Sequence, residues 1–233
     1  MVLTSTGSAN GNAAFEKRIN DVCYQHILPH LNQLNAEQDD ETRLALMEPD
    51  IFSRFVTQAT SDVGRVLIEE TSGQFRRMTA HLRVIPDDVQ EFVVCDSDLE
   101  SLVQFLVRSA QGFHSGLPQY ASEYQRFRQV VREASYSGWG IGANMAMRGC
   151  ELFGLFGGVL ATVAAPFVGM YQAEQQIDAA GKQFDQAFVA MCGSYDKAMT
   201  TLLELAVRIA SDHYVGLTVA IQSSNNQDMC GLC

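Results

Sequence analysis

The chain has 233 residues, of which 47% are hydrophobic and 18% charged, and its 16 Lys+Arg against 27 Asp+Glu give a net charge of -11. That apolar fraction suffices for a packed core and excludes wholesale disorder, which goes with few apolar residues and much charge. A pI near 4.8 sets the chain against phosphate backbones, so nucleic acid is not an expected partner.

Residues 1–12 are small and polar and are expected to form a flexible tail. They carry no basic start and no apolar run, so no secretory leader is expected, and Val2 stands where N-myristoylation requires glycine. Residues 13–222 read as a single α-helical domain, and 223–233 as a second flexible tail. Phe15, Ile19, Val22, Cys23, His26, Ile27, His30, Leu31 and Leu34 keep the three-four spacing of an amphipathic helix, with a kink or break expected at Pro29. The acidic stretch 35–41 reads as a connection.

Pro49 suits the first position of a helix whose apolar stripe runs from Phe52 through Phe55, Val56, Ala59, Val63 and Val66 to Leu67. Gly73 and Pro86 bracket the one local basic cluster, FRRMTAHLRV, read as a solvated helix face in preference to an anion site. Residues 89–95 suit a short strand or a buried turn. Asp96 or Asp98 then caps a helix carrying Leu99, Leu102, Val103, Leu106 and Val107. Residues 112–118 read as a loop, and Pro118 as the restart of a helix bearing Tyr120, Tyr124, Phe127, Val130 and Val131.

The clearest periodicity comes last. Ile177, Gly181, Phe184, Phe188, Met191, Tyr195, Ala198, Leu202, Leu205 and Ile209 alternate spacings of four and three, which predicts a long helix in a near-parallel bundle. The fold class that follows is all-α: an elongated multi-helix bundle with a long heptad-patterned C-terminal helix and a central glycine-rich apolar helix or hairpin.

That central segment covers residues 138–171 and holds eight of the 18 glycines. Within it, residues 152–171, LFGLFGGVLATVAAPFVGMY, contain no charged side chain. Twenty helical residues cover ~30 Å, the thickness of a bilayer's hydrocarbon layer. Two readings stand. The segment is either a buried core helix surrounded by others, or a membrane-active span or hairpin hinged near Gly157, Gly158 or Pro166. Glycine in a helix in water costs ~1 kcal/mol relative to alanine, and Pro166 adds a kink, which favours the second reading. Phe153, Leu155, Phe156, Val159, Leu160, Phe167 and Val168 would then meet lipid, while Gly154, Gly157 and Gly158 pack helices closely. Over roughly residues 117–213 this outline is similar to α-helical pore-forming proteins, which hold an apolar hairpin between long amphipathic helices. The resemblance is one of architecture.

The remaining signals are weaker. The terminal Cys230-Gly231-Leu232-Cys233 makes Cys230 a candidate for prenylation and also reads as C-x-x-C. Most of the six cysteines are widely scattered and read as buried free thiols of a reducing compartment. Cys23, His26 and His30 would share a helix face and suit a metal, but they also complete an apolar stripe, so no metal and no cofactor is expected. With no H-E-x-x-H, G-x-S-x-G or Walker A sequence, no catalytic residues are assigned and an enzyme is not expected.

The resulting expectation is a membrane-active helical protein of the toxin, effector or cell-death kind. It would be cytoplasmic or otherwise soluble until triggered, with residues 141–171 inserting into a lipid membrane as a homo-oligomer. The alternative is an adaptor module that binds a protein partner along the 177–209 heptad face.

Overall fold

Apolar residues at three-four spacing need a helical backbone to reach one face, and the chain is accordingly an all-α multi-helix bundle. The computed structural model describes residues 6–136, 151–153, 161–163 and 173–230. Among them lie α1 (Thr6–Tyr24), α2 (Ile27–Ala36), α3 (Asp40–Leu46), α4 (Pro49–Thr79), α5 (Asp87–Gln90), α6 (Asp96–Ser109) and α7 (Gln111–Tyr136). Two short strands follow, β1 (Glu151–Phe153) and β2 (Ala161–Val163), and then α8 (Ala173–Cys230). The chain divides into two compact units, to which α4 and α8 each contribute in turn.

The first unit draws on Met1–Cys23, Ala59–Ser109 and Thr201–Cys233. Its core contains Phe15 and Ile19 of α1, Val63 and Leu67 of α4, Leu106 of α6, and Leu202, Ala206 and Leu217 of α8. At Gly64 of α4 a Cβ would lie 3.0 Å from Val103 and 3.4 Å from Leu99, so the missing side chain lets α6 approach closely. The acidic residue near the start of α6 acts from inside the helix: the Asp98 carboxylate accepts from the Cys95 backbone N–H at 2.8 Å, one half of a capping box.

The second unit draws on Tyr24–Gln58 and Ala110–Thr200. The chain breaks at Gln25 and His26, ahead of Pro29, which sits in the first turn of α2. A proline is tolerated there because the N–H it lacks has no intrahelical acceptor. The acidic connection is shorter than expected. Asp39 caps α3 by accepting from the Thr42 N–H at 2.8 Å and its hydroxyl at 2.6 Å. Residues 112–118, read as a loop, are helical, with Pro118 inside α7. Burial supplies the reason: Phe113 is fully buried and meets Tyr195 edge-on at 5.9 Å, while Gly116 brings the helix against Ser194.

Two further helices outrun their sequence signals. α4 passes through Gly73 to Thr79, and α8 continues beyond residue 213 to Cys230. Glycines within α8 are not equivalent. A Cβ at Gly193 meets nothing within 4 Å, whereas one at Gly216 would lie 2.8 Å from the Phe92 ring. Gly193→Ala is expected to raise stability by about 0.5–1 kcal/mol through helix propensity. Gly216→Ala is expected to lower it by about 1 kcal/mol by displacing Phe92. Urea midpoints of the two variants measured side by side test the pair.

Candidate functional site

The uncharged run begins within a strand. Glu151 pairs with Val163, Leu152 with Thr162 and Phe153 with Ala161, antiparallel, so each pair is centred on position 157. Where its backbone is described, the expected apolar helix or hairpin is a pair of antiparallel strands, so residues 152–171 are not one unbroken helix. Glycine and β-branched residues (Val159, Thr162, Val163) make an extended backbone at least as favourable as a helical one. β2 lies alongside α2. Of the residues assigned to lipid contact, Phe153 falls in β1. Leu155, Phe156, Val159, Leu160, Phe167 and Val168 lie outside the described residues, as do Gly154, Gly157, Gly158 and Pro166. Cys230 is the last residue of α8. Among the described residues, no helix is long and apolar enough to cross a membrane.

The heptad face of α8 is occupied by the chain itself. Phe184 stacks on Phe127 at 5.1 Å and lies against Tyr120 and Tyr124. Phe188 meets Phe52 at 5.7 Å and Tyr120 at 6.0 Å, and Tyr195 meets Tyr24 at 6.3 Å. Met191, Ala198, Leu202 and Leu205 are buried as well. From Phe184 to Leu205 these heptad positions therefore pack within the chain, while Ile209 is half-buried.

The Cys23, His26 and His30 set does not form a metal centre, and no group of three or more His, Cys, Asp or Glu able to hold a metal occurs among the described residues. Burial pushes the Cys23 thiol up to about 12, which makes it a poor thiolate ligand. His30 sits in the aromatic cluster, with Phe55 at 5.1 Å and Phe52 at 5.7 Å. Its Nε2 lies 2.7 Å from the Leu46 carbonyl, and since a carbonyl only accepts, Nε2 carries the proton. Desolvation lowers the His30 pKa, and the bond to Leu46 opposes that shift in part. Of the free cysteines Cys23, Cys95 and Cys192, Cys23 and Cys192 are buried, whereas Cys95 is exposed and departs from the buried-thiol reading.

Two acidic residues carry signals that the apolar stripes conceal. Asp196 is buried beside the seam and accepts from the Tyr24 hydroxyl at 2.6 Å. Asp185 lies on α8 between the seam residues Phe184 and Phe188, and burial pushes its carboxyl up to about 7. The only sequence signal for either is an acid next to an aromatic heptad position.

No protein-family model, no curated protein and no solved structure matches this chain. The functional reading therefore rests on its own residues.

Two variants test this electrostatic picture. Tyr24→Phe leaves a buried carboxylate without its hydroxyl donor and is expected to cost about 1–2 kcal/mol in urea unfolding. Asp185 works with the opposite sign to a salt-bridged acid. Between pH 3.8 and about 7 the unfolded chain releases this proton while the folded chain keeps it, so this group makes stability fall as pH rises through that window. Asp185→Asn is expected to match the wild type near pH 4 and to exceed it in stability at pH 8.

Proposed function

We propose that this chain acts on membranes, with the apolar segment 141–171 entering a bilayer after a trigger and copies associating through Gly154, Gly157 and Gly158. The observation that carries the reading is the run of 20 residues without a charge, 152–171, in a chain of net charge -11. Its four glycines and Pro166 suit close helix crossings and kinks in lipid, where neighbouring groups satisfy the backbone, better than they suit a helix in water. A pore formed by several copies, as in a toxin, effector or cell-death executor, is the fuller form of the same reading.

Acid is one candidate trigger, since lowering pH removes charge from carboxylates and eases approach to an anionic surface. Within the second unit two groups oppose each other. Protonating His30 disfavours the folded state below its ordinary pKa of 6.5, because its folded pKa is lowered. Protonated Asp185 favours it.

Dye release from liposomes tests the proposal, with wild type compared against Phe156→Asp and Gly158→Asp over about pH 4.5–7.5. Release by the wild type and at least a tenfold loss in both variants is the expected result. Intact vesicles throughout that range would overturn it.

A further inference from the structure

We propose that the turn joining α4 to α5 is a docking site for an anionic lipid surface, with Arg76 and Arg83 holding headgroups and Val84 entering the interface. The inference rests on the membrane reading above and names the lipid chemistry that would bring the chain to the bilayer.

The charge pattern is local and runs against that of the whole chain. From Thr71 to Pro86 there is no acidic residue, yet Arg76, Arg77, His81 and Arg83 fall within that stretch. Arg77 is engaged by Glu70 at 3.1 Å. Arg76, His81 and Arg83 are exposed, and among the described residues neither Arg76 nor Arg83 has an ion-pair partner. The acids that follow, Asp87, Asp88 and Glu91, lie beyond Pro86, and the Ser224 hydroxyl lies 3.1 Å from both Asp88 oxygens. A basic cluster on a protein of net charge -11 favours an anionic partner, and a surface of anionic lipid gains roughly 1 kcal/mol for each Arg brought close.

The apolar element distinguishes a bilayer from a soluble polyanion. Val84 is 80% exposed, more than any other large hydrophobic residue among those described, and it directly follows Arg83. An exposed aliphatic side chain next in sequence to an exposed arginine suits an interface in which acyl chains lie just beneath charged headgroups.

The turn is also held in place. The Leu82 N–H donates to the Thr79 carbonyl at 3.0 Å, and the Gln90 amide donates to the Ile85 carbonyl at 2.9 Å. Val89 is fully buried, and His213 bonds the Phe92 carbonyl and Gln74, both at 3.1 Å. A tip fixed at both ends loses little conformational freedom on docking.

Co-sedimentation with liposomes of phosphatidylcholine alone, and of phosphatidylcholine with phosphatidylserine, tests the site in the full chain. Wild type is expected to bind the anionic vesicles at least tenfold more tightly than the neutral ones and to be released by 0.5 M salt. Arg76→Gln/Arg83→Gln is expected to weaken binding about 30-fold and Val84→Asp at least tenfold, each with an unchanged circular dichroism spectrum. Phe156→Asp is expected to dock like the wild type while releasing no dye, which separates docking from insertion. Equal binding of both vesicle types overturns the site, as does full binding by the double arginine variant, even where dye release stands. Binding to heparin with none to vesicles replaces the lipid surface with a soluble polyanion and also overturns it. Serine-lipid binding that is lost in the arginine variant, with no dye release by any form, supports the site and removes the insertion reading alone.

Discussion

The second unit depends on an aromatic seam in which Phe184 and Phe188 of α8 meet Phe52 of α4 and Tyr120, Tyr124 and Phe127 of α7. The seam does more than bury apolar area. The Tyr120 hydroxyl reaches the Met47 carbonyl at 2.5 Å, and the Tyr124 hydroxyl reaches that of Leu44 at 3.2 Å. These are carbonyls at the end of α3, where a helix leaves its last acceptors unsatisfied. At seven residues, α3 is too short to be stable alone, since helix nucleation is costly. It persists because the tyrosines that fill the core also supply donors to its end. The buried Arg43 does the same for α2, donating from Nε to the Leu34 carbonyl at 3.2 Å. Burial pushes the Tyr120 phenol pKa well up, with Cys192 and Tyr124 nearby adding to the shift, so this donor stays protonated.

The first unit solves the same problem with polar links between segments distant in sequence. Arg18 of α1 pairs with Glu69 of α4 at 2.6 Å, an exposed contact that contributes little by itself. The last third of α8 ties down the segment around α5 through His213, Gly216 and Ser224. The buried threonines of α4 satisfy themselves locally, with Thr71 and Thr79 donating to carbonyls one turn back at 3.0 and 2.8 Å.

Long helices with a sustained apolar period were readable from the residues, as the α8 stripe and the start of α4 at Pro49 show. Short elements and the exact places of breaks are not, because they are decided by contacts that a linear pattern does not contain. Gly73 and Pro118 are strong local breakers, yet both lie inside helices. For Pro118 the burial of Phe113 a turn earlier outweighs the lost backbone bond. The capping of α3 by Asp39 falls inside the acidic stretch read as a connection, where the linear pattern does not show which acid meets a helix start. The glycine-rich run was recognisable as exceptional, but periodicity cannot separate helix from strand where every residue is apolar or small. Asp185 and Asp196 are illegible for the opposite reason: each is a single acid beside a strong aromatic signal. The basic stretch before Pro86 was visible as charge, whereas the protrusion of Val84 is a property of the turn.

The register of β1 and β2 sets a limit on reach. With Glu151 beside Val163, the residue farthest from the paired ends is six positions along the chain, and a fully extended backbone covers about 20 Å over that distance. That is shorter than the ~30 Å of a hydrocarbon layer and close to the depth of one leaflet. On the proposed membrane reading, a segment tied at β1 and β2 would reach only the near leaflet, a monotopic mode. On that reading, crossing to the far side would require β1 and β2 to separate first, so their pairing would hold the segment back as a latch does.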